Sequence, residues 1–186
     1  MNTVTAIKDI DIINDIADEL KAQSMRNYVL FMTGIYSGLR ISDILSLRVK
    51  DVKNKEHIYL REEKTEKERM FPIHNHLKKI LKEYIQGMED WRYLFPSRKG
   101  SNKPITRIRA YGILNKVAEA HGLEHIGTHT LRKTFGYQFH SQYPNKIVEL
   151  QQILNHSSPG VTLRYIGIEQ EATDKLMKGL SFKRGR

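Results

Sequence analysis

The sequence predicts an α+β domain that is mainly helical and carries one small antiparallel β-hairpin. Apolar residues recur at helical spacing along most of the chain, and one short region alternates apolar and polar residues instead. A chain of 186 residues with 39% hydrophobic content is long enough to bury one core. No repeat, low-complexity tract or long linker divides it, so we expect residues 1–186 to form a single domain.

Composition excludes several classes of protein. The chain has no cysteine, which rules out a disulfide framework and a thiolate metal site. No apolar run approaches the ~20 residues that span a bilayer, and the first residues lack the apolar core of a signal peptide. We therefore expect a cytoplasmic protein. The 31 Lys and Arg against 21 Asp and Glu give a net charge of +10, which favours an acidic partner such as nucleic acid or an anionic membrane surface.

The first third of the chain predicts three helices. Residues 8–23 show an amphipathic spacing, whereas residues 25–37 are so apolar that we expect a buried central helix. Gly38 fits the left-handed end of that helix and places Arg40 at the start of the next.

Arg40 has two interpretations. Asp43 follows it by three residues and lies on the same helical face, so a surface ion pair is one of them. Arg40 nevertheless falls between two apolar helices, where a guanidinium is costly without an anionic partner. We interpret Arg40 as a phosphate ligand and Asp43 as the residue that orients it.

A hairpin is predicted where the spacing changes. Ile58 and Leu60 alternate with polar neighbours, and residues 70–73 form a second apolar run after a charged tip. Pro72 cannot donate to a central ladder, so we expect an edge strand.

Two further helices follow the hairpin. The first covers 75–87, with Asn75 as its cap and Gly87 as its end. His74 and His76 have no partner at metal-ligand spacing, so we expect surface histidines. A basic loop at 96–104 either faces DNA or is merely solvated.

The second of these helices begins after Thr106, its predicted cap. One side of it is basic and could lie against duplex DNA. Its predicted apolar stripe comprises Ile108, Tyr111, Leu114, Val117 and Ala118.

The stretch 128–165 contains most of the polar residues with chemical potential. His129 and Arg132 lie three apart at a helix start, so both side chains point toward one place and could grip an anion. An apolar run then stops at Asn155, a residue that favours a left-handed cap and would present His156 beyond the helix end. Residues 157–160 read as a turn, and Tyr165 follows His156 by nine residues.

In this order these residues resemble the signature of the tyrosine recombinase (phage integrase) family, along nearly the whole chain. That signature has an Arg in a GLR segment, a hairpin Lys, an H-x-x-R pair, a His after a Leu-Gly pair and a nucleophilic Tyr nine residues further on. The matching positions are Gly38-Leu39-Arg40, Lys64, His129 with Arg132, Leu154-Asn155-His156, and Tyr165.

The resemblance implies a role for each matched residue in DNA cleavage. Tyr165 would attack a phosphodiester and form a 3′-phosphotyrosine, with Arg40 and Arg132 holding the non-bridging oxygens. His129 and His156 would donate hydrogen bonds to the phosphate, or His129 would accept the tyrosine proton. No metal or other cofactor is implied. Because a tyrosine of pKa ~10 is a poor nucleophile, we expect the cationic pocket to favour its phenolate.

Lys64 would protonate the leaving 5′ oxygen by the same resemblance. Glu66 stands where the family's hairpin motif usually has Gly, which leaves Lys67 as a rival and a solvated tip as a further alternative.

The implied function is site-specific recombination of double-stranded DNA, without a membrane partner. A type IB topoisomerase and a non-catalytic DNA-binding regulator are the alternatives. Only 39 residues precede Arg40, so the separate core-binding domain of many relatives is not expected. The chain is either a cloned catalytic fragment or a naturally short recombinase of the DNA-inverting kind. Residues 168–186 predict a tail helix with a basic end. We expect a monomer without DNA and a homo-tetramer on DNA, with accessory proteins possible and the tail docked on its own domain or on a neighbour.

Overall fold

The computed structural model describes residues 4–61, 68–127 and 129–180 of the chain. No helix in these ranges has the length and apolar composition needed to cross a bilayer. The helices are α1 (Ile10–Gln23), α2 (Met25–Ser37), α3 (Ile41–Ser46), α4 (Asn75–Tyr84), α5 (Arg107–Ala120), α6 (Thr130–Gln142), α7 (Ile147–Leu154), α8 (Pro159–Ile166) and α9 (Ile168–Gly179), and the strands are β1 (His57–Arg61) and β2 (Glu68–Pro72).

Helix α2 is the buried centre that its composition predicts. Residues 28–34 of this helix are all buried, and α1, α4 and α6 pack around them. The helix ends at Gly38, whose φ of 61° is the left-handed conformation expected there. A β-carbon on Gly38 would come within 2.4 Å of the Phe135 ring, so only glycine allows α6 to lie this close to the end of α2.

The hairpin has the predicted antiparallel arrangement. Ile58 pairs with Phe71 and both are buried, whereas the pair Tyr59 and Met70 is exposed on the opposite face. Pro72 is the last residue of β2, where a missing N–H costs least. The predicted tip, with Lys64, Glu66 and Lys67, lies outside the described residues.

Helix α4 corrects two predictions. Its cap is His74 rather than Asn75, because Nδ1 of His74 accepts a hydrogen bond of 3.2 Å from the His76 amide. The ring of His74 also stacks on Tyr36 at 4.6 Å, so this histidine is structural. The helix ends at Tyr84, three residues before Gly87.

Helix α5 begins as predicted but buries a different face. The Thr106 hydroxyl accepts a hydrogen bond of 3.1 Å from the Arg109 amide. Ile108 and Tyr111 are 82% and 43% exposed, however, and do not belong to the buried face. That face consists of Ala110, Leu114, Val117 and Ala118.

The apolar interior divides into two cores. The large core joins α1–α5, the hairpin and the first turn of α6. The small core is built on Leu150, Leu154 and Ile166, with Tyr165 among the residues packed against it. A β-carbon on Gly136 would come within 2.7 Å of the Ile166 side chain, so this glycine lets α8 lie directly on α6.

The C-terminal helix α9 confirms the predicted helical tail over its described residues. Ile168, its first residue, packs against the small core. The later apolar side chains are exposed: Leu176 is 76% exposed, Met177 66%, and Leu180, just after the helix, 59%. The start of the stripe thus contacts its own domain, and whether the rest docks there or on a neighbour stays a prediction.

Candidate active site

Arg132 connects the helix ends that form the site through hydrogen bonds. It lies in the first turn of α6 and is only 3% exposed. Its Nη1 donates to the Gly38 carbonyl at the end of α2, and its Nη2 donates to the Leu154 carbonyl at the end of α7. Because a buried guanidinium requires such acceptors, the two carbonyls hold Arg132 in place between the large and small cores.

Arg40 enters the site from the large core. The Gly38 turn sets its backbone in an extended conformation at the N-cap of α3, where the side chain is half-buried. Its positive charge lowers the pKa values of His129 and His156, which places it within electrostatic reach of both rings. Asp43 lies buried one turn further along α3. Its predicted role in orienting Arg40 stays a prediction.

His156 follows the left-handed residue that the sequence indicates. Asn155 has φ 49° and ψ 48°, which ends α7 and redirects the chain. Two hydrogen bonds to Gln151 hold the backbone of His156. The His156 amide donates to the Gln151 carbonyl at 3.0 Å, and the His156 carbonyl accepts from Nε2 of Gln151 at 3.0 Å. The ring position is therefore fixed by the helix end.

The hydrogen bonds of Thr162 assign the tautomer of His156. The Thr162 hydroxyl donates to the Ser158 carbonyl at 3.2 Å, and its oxygen lies 3.1 Å from Nδ1 of His156. Since a hydroxyl has one hydrogen, Nδ1–H is the donor, and Nε2 of the neutral ring is an acceptor. Burial, followed by the charges of Arg132 and Arg40, lowers the pKa of His156 to about 4.

Helix α8 begins earlier than the sequence indicates. Pro159 and Gly160, which read as part of a turn, are its first two residues. The Ser158 hydroxyl accepts from the Val161 amide at 3.3 Å, and proline is well suited to the first helical position. Tyr165 therefore sits on a regular helix packed against α6.

The hydroxyl of Tyr165 points toward His129. It lies 3.4 Å from Nδ1 of His129 and accepts a hydrogen bond from Arg132. The ring of His156 meets the tyrosine ring edge-on at 4.8 Å, and Nζ of Lys133 lies 5.1 Å from its centroid. Burial raises the pKa of Tyr165 above its ordinary value, against the opposing charges of Arg132 and Arg40. The expected net preference for phenolate is therefore wrong for the protein without DNA.

His129 has a ring available for chemistry. It is the N-cap of α6, yet its side chain makes no capping bond. Partial burial of the ring, followed by the charges of Arg107, Arg132, Lys133 and Arg40, holds the pKa of His129 below its ordinary value. The ring is thus neutral at neutral pH.

Sequence reasoning missed three residues in or beside the site. No sequence pattern marks Thr162, which hydrogen-bonds His156. Lys133, whose ammonium lies over the Tyr165 ring, follows Arg132 directly and belongs to no motif. Arg69 stands at the last position of the family's K-x-G-x-x-R type hairpin motif, whose first position is Lys64, and this was its only signal. Its Nη2 donates to the carbonyls of Gln152 and Ile153 at 2.9 and 3.0 Å, which joins β2 to the last turn of α7.

Five of the six predicted catalytic residues thus converge: Arg40, His129, Arg132, His156 and Tyr165. Lys64 lies outside the described residues. Within the described ranges, no group of three or more His, Asp or Glu residues has an arrangement that could hold a metal ion.

Comparison with known proteins assigns the family. The model of the phage integrase family matches residues 4–171. The chain belongs to the phage integrase family. It is 51% identical over 173 residues to the probable integrase/recombinase YoeC of Bacillus subtilis, which covers 93% of this chain and 94% of YoeC.

More distant members of the phage integrase family are longer. A tyrosine recombinase XerC of Thermodesulfovibrio yellowstonii is 30% identical over 144 residues, covering 72% of this chain but 47% of that protein. The chain thus spans about half of that relative. The crystal structure of XerA recombinase superposes with a TM-score of 0.75 at 20% identity, over 98% of this chain and 66% of XerA. The structure of XerH bound to a palindromic difH substrate gives 0.70 at 18% identity, over 94% of this chain and 53% of XerH.

Membership of the phage integrase family confirms the predicted tyrosine recombinase domain and the mainly helical fold with its hairpin. It also confirms the predicted enzyme class, a site-specific recombinase that cleaves and rejoins DNA. The topoisomerase and regulator alternatives are not favoured.

Proposed function

We propose that this chain cleaves and rejoins double-stranded DNA at specific sites through a 3′-phosphotyrosine on Tyr165. The observation that carries the proposal is the position of the Tyr165 hydroxyl, 3.4 Å from His129 and hydrogen-bonded by Arg132. A structural tyrosine would not require a histidine at its hydroxyl and the positive charges of two arginines nearby.

His129 is suited to accept the proton of Tyr165. A general base must be unprotonated and within reach of the proton it removes, and the lowered pKa of His129 meets the first condition. The distance of 3.4 Å is long for a hydrogen bond, as is common before substrate binds. As the Tyr165 oxygen bonds to phosphorus, its proton passes to His129.

The arginines are suited to stabilise the phosphorane. Arg40 and Arg132 bring two fixed positive charges to the place where negative charge develops on the non-bridging oxygens. The 5′ oxygen departs with a proton, for which we propose Lys64 as the donor. Attack by a 5′-hydroxyl reverses each step and rejoins the strand, so the energy of the broken bond is retained in the phosphotyrosine.

His156 has a conditional role in this scheme. In the assigned tautomer its Nε2 is an acceptor, which cannot donate to a phosphate. An anion beside the ring would raise the pKa of His156 from about 4 and favour the doubly protonated form. We therefore propose that DNA binding itself makes His156 a donor.

Assembly on DNA depends in this proposal on α9. Its exposed apolar residues need a surface on which to be buried. We propose that this surface belongs to a neighbouring copy, in a tetramer that monomers form on DNA. Deletion of residues 169–186 should preserve single-site binding and eliminate strand exchange. As a matched control, Lys178→Ser on the same helix should recombine normally. Unchanged recombination by the truncated protein would exclude this role.

The deciding experiment for catalysis is a nicked suicide substrate carrying candidate sites. The unaltered protein should give a covalent protein–DNA product on a denaturing gel. Tyr165→Phe should give none and bind DNA with nearly unchanged affinity, because only the nucleophilic oxygen is removed. Adduct formation by the Phe variant would show that another residue attacks.

A further inference from the structure

A second basic site lies away from the catalytic residues. A cavity of about 560 Å³ opens between the α1–α2 junction, the segment 97–105 and the start of α5. Its lining includes four cationic side chains, Arg26, Arg98, Lys99 and Arg109, and no carboxylate among the described residues.

The charges of this cavity are not neutralised within the described part of the chain. No carboxylate there forms an ion pair with any of the four cations. The pKa of Arg26 is held below its ordinary value by burial and then by the neighbouring charges of Arg98 and Arg109, against an opposing effect of Tyr84. Like charges gathered around a half-buried arginine create a strongly positive potential, which an anion would relieve.

The site is also preorganised. Nη1 of Arg26 donates to the Pro96 carbonyl at 2.8 Å, while Nε and Nη2 donate to the Asn27 side-chain oxygen at 3.2 and 3.0 Å. These neutral acceptors fix the guanidinium without cancelling its charge. The facing segment is held by backbone bonds, from the Ser97 amide to the Lys103 carbonyl at 2.7 Å and from the Ile105 amide to the Phe95 carbonyl at 2.9 Å.

The position of the cavity relates it to the active site. Arg26 lies in the first turn of α2 and Gly38 caps its C-terminal end, so the two sites lie near opposite ends of a helix about 20 Å long. The first turn of α5 joins them, because Arg107 acts electrostatically on His129 and Arg109 lines the cavity. A duplex rises about 20 Å in about six base pairs.

We propose that this cavity binds a phosphate of the DNA backbone within about six base pairs of the phosphate that is cleaved. The proposal rests on the proposed function, since it assigns a further contact to the same DNA. A fixed backbone contact at this distance would position the duplex so that the scissile phosphate reaches Tyr165.

The test measures the salt dependence of DNA binding. Arg98→Gln with Arg109→Gln removes two charges from exposed side chains and leaves the hydrogen-bonded Arg26 in place. Fluorescence anisotropy with a mixed-sequence duplex of about 30 base pairs should give a slope of log K against log salt that is smaller by about 0.9 for one lost phosphate contact. Arg98→Lys with Arg109→Lys should restore most of the slope. Lys82→Gln, an exposed change of the same charge on α4, should leave it unaltered.

The outcomes separate this proposal from the proposed function. If the unaltered protein binds with a steep slope and the Gln pair has the same slope, the cavity does not contact DNA and the proposal is overturned. If the unaltered protein itself shows a flat salt response, the DNA function fails with it. A separate measurement titrates the protein with inorganic phosphate and follows the arginine Nε–H resonances by NMR. Phosphate binding that the Gln pair abolishes without any change in DNA binding would assign the cavity to a free anion and overturn the DNA contact.

Discussion

The hydroxyl of Tyr165 lies 3.4 Å from Nδ1 of His129, which brings residues 36 positions apart in the sequence into one proton-transfer geometry. The relationship depends on two helix starts. The main chain turns into α6 at His129, and the early start of α8 places Tyr165 on a helix face packed against it. His129 contributes nothing to the cap of its own helix, so its ring is available to the tyrosine.

Removal of the His129 ring should slow cleavage without unfolding the protein. In His129→Gln the exposed side chain keeps its size and polarity but loses a titratable nitrogen. General-base catalysis typically contributes about 10²–10⁴ in rate, so adduct formation should fall by about that factor and lose its dependence on pH near the His129 pKa. Single-turnover rates on a suicide substrate over a pH series measure both effects. Equal rates for the variant and the unaltered protein would remove His129 from the proton transfer.

Loss of the Thr162 hydroxyl should release the tautomer of His156. Thr162→Val keeps the buried shape but removes the acceptor that Nδ1–H uses. We expect the ring to populate both tautomers, which ¹⁵N chemical shifts report, and the stability to fall by ~1 kcal/mol for the lost hydrogen bonds. Thr162→Ser retains the hydroxyl and should keep the single tautomer. Persistence of that tautomer in the Val variant would contradict our assignment.

Arg69 should hold the end of α7 in place. Arg69→Gln loses the donor that reaches the Gln152 and Ile153 carbonyls. Cleavage should then fall several-fold while DNA affinity changes little, and amide exchange should accelerate at Asn155 and His156. Arg61→Gln, at the other strand of the same hairpin, provides the matched comparison for lost charge. Unchanged exchange at the α7 end would show that the clamp does not stabilise it.

Acid should destabilise the protein partly through His156. Its folded pKa of about 4 lies below the ~6.5 of an unfolded histidine, so between these values the unfolded chain binds more protons. Stability is therefore full above about pH 6.5 and is lost as pH falls toward 4. His156→Asn cannot titrate, and its melting temperature should fall less over this interval than that of the unaltered protein. Parallel declines in the two proteins would argue against the lowered pKa.

The parts of the fold that the sequence predicted are those set by local patterns. The apolar spacing of α1, the uniform hydrophobicity of α2 and the left-handed conformations of Gly38 and Asn155 each arise within a few residues. Predictions failed where two local signals compete. His74 replaces Asn75 as the N-cap residue of α4, because its ring also stacks on a neighbouring tyrosine. Pro159 begins a helix although Pro-Gly usually marks a turn.

The candidate site follows a similar division. Motif spacing identified Arg40, His129, Arg132, His156 and Tyr165, since the family's chemistry requires those residue types in that order. Thr162 could not be found this way, because its hydroxyl matters only after α8 packs beside the end of α7. The exposure of Ile108 was likewise hidden, since an apolar residue at helical spacing reads as buried until the neighbouring elements are known.

The boundary between the large and small cores passes through the active site. Arg40 follows the end of α2, which lies in the large core, whereas Tyr165 packs against the small core. Arg132 joins the two through the Gly38 and Leu154 carbonyls. The small core rests on three fully buried side chains, so it is the part that opens at the lower free energy. Warming would thus separate the nucleophile from its arginines while most helices persist. The highest temperature at which such an enzyme works would then be set by opening of the small core, below the temperature at which the whole domain unfolds.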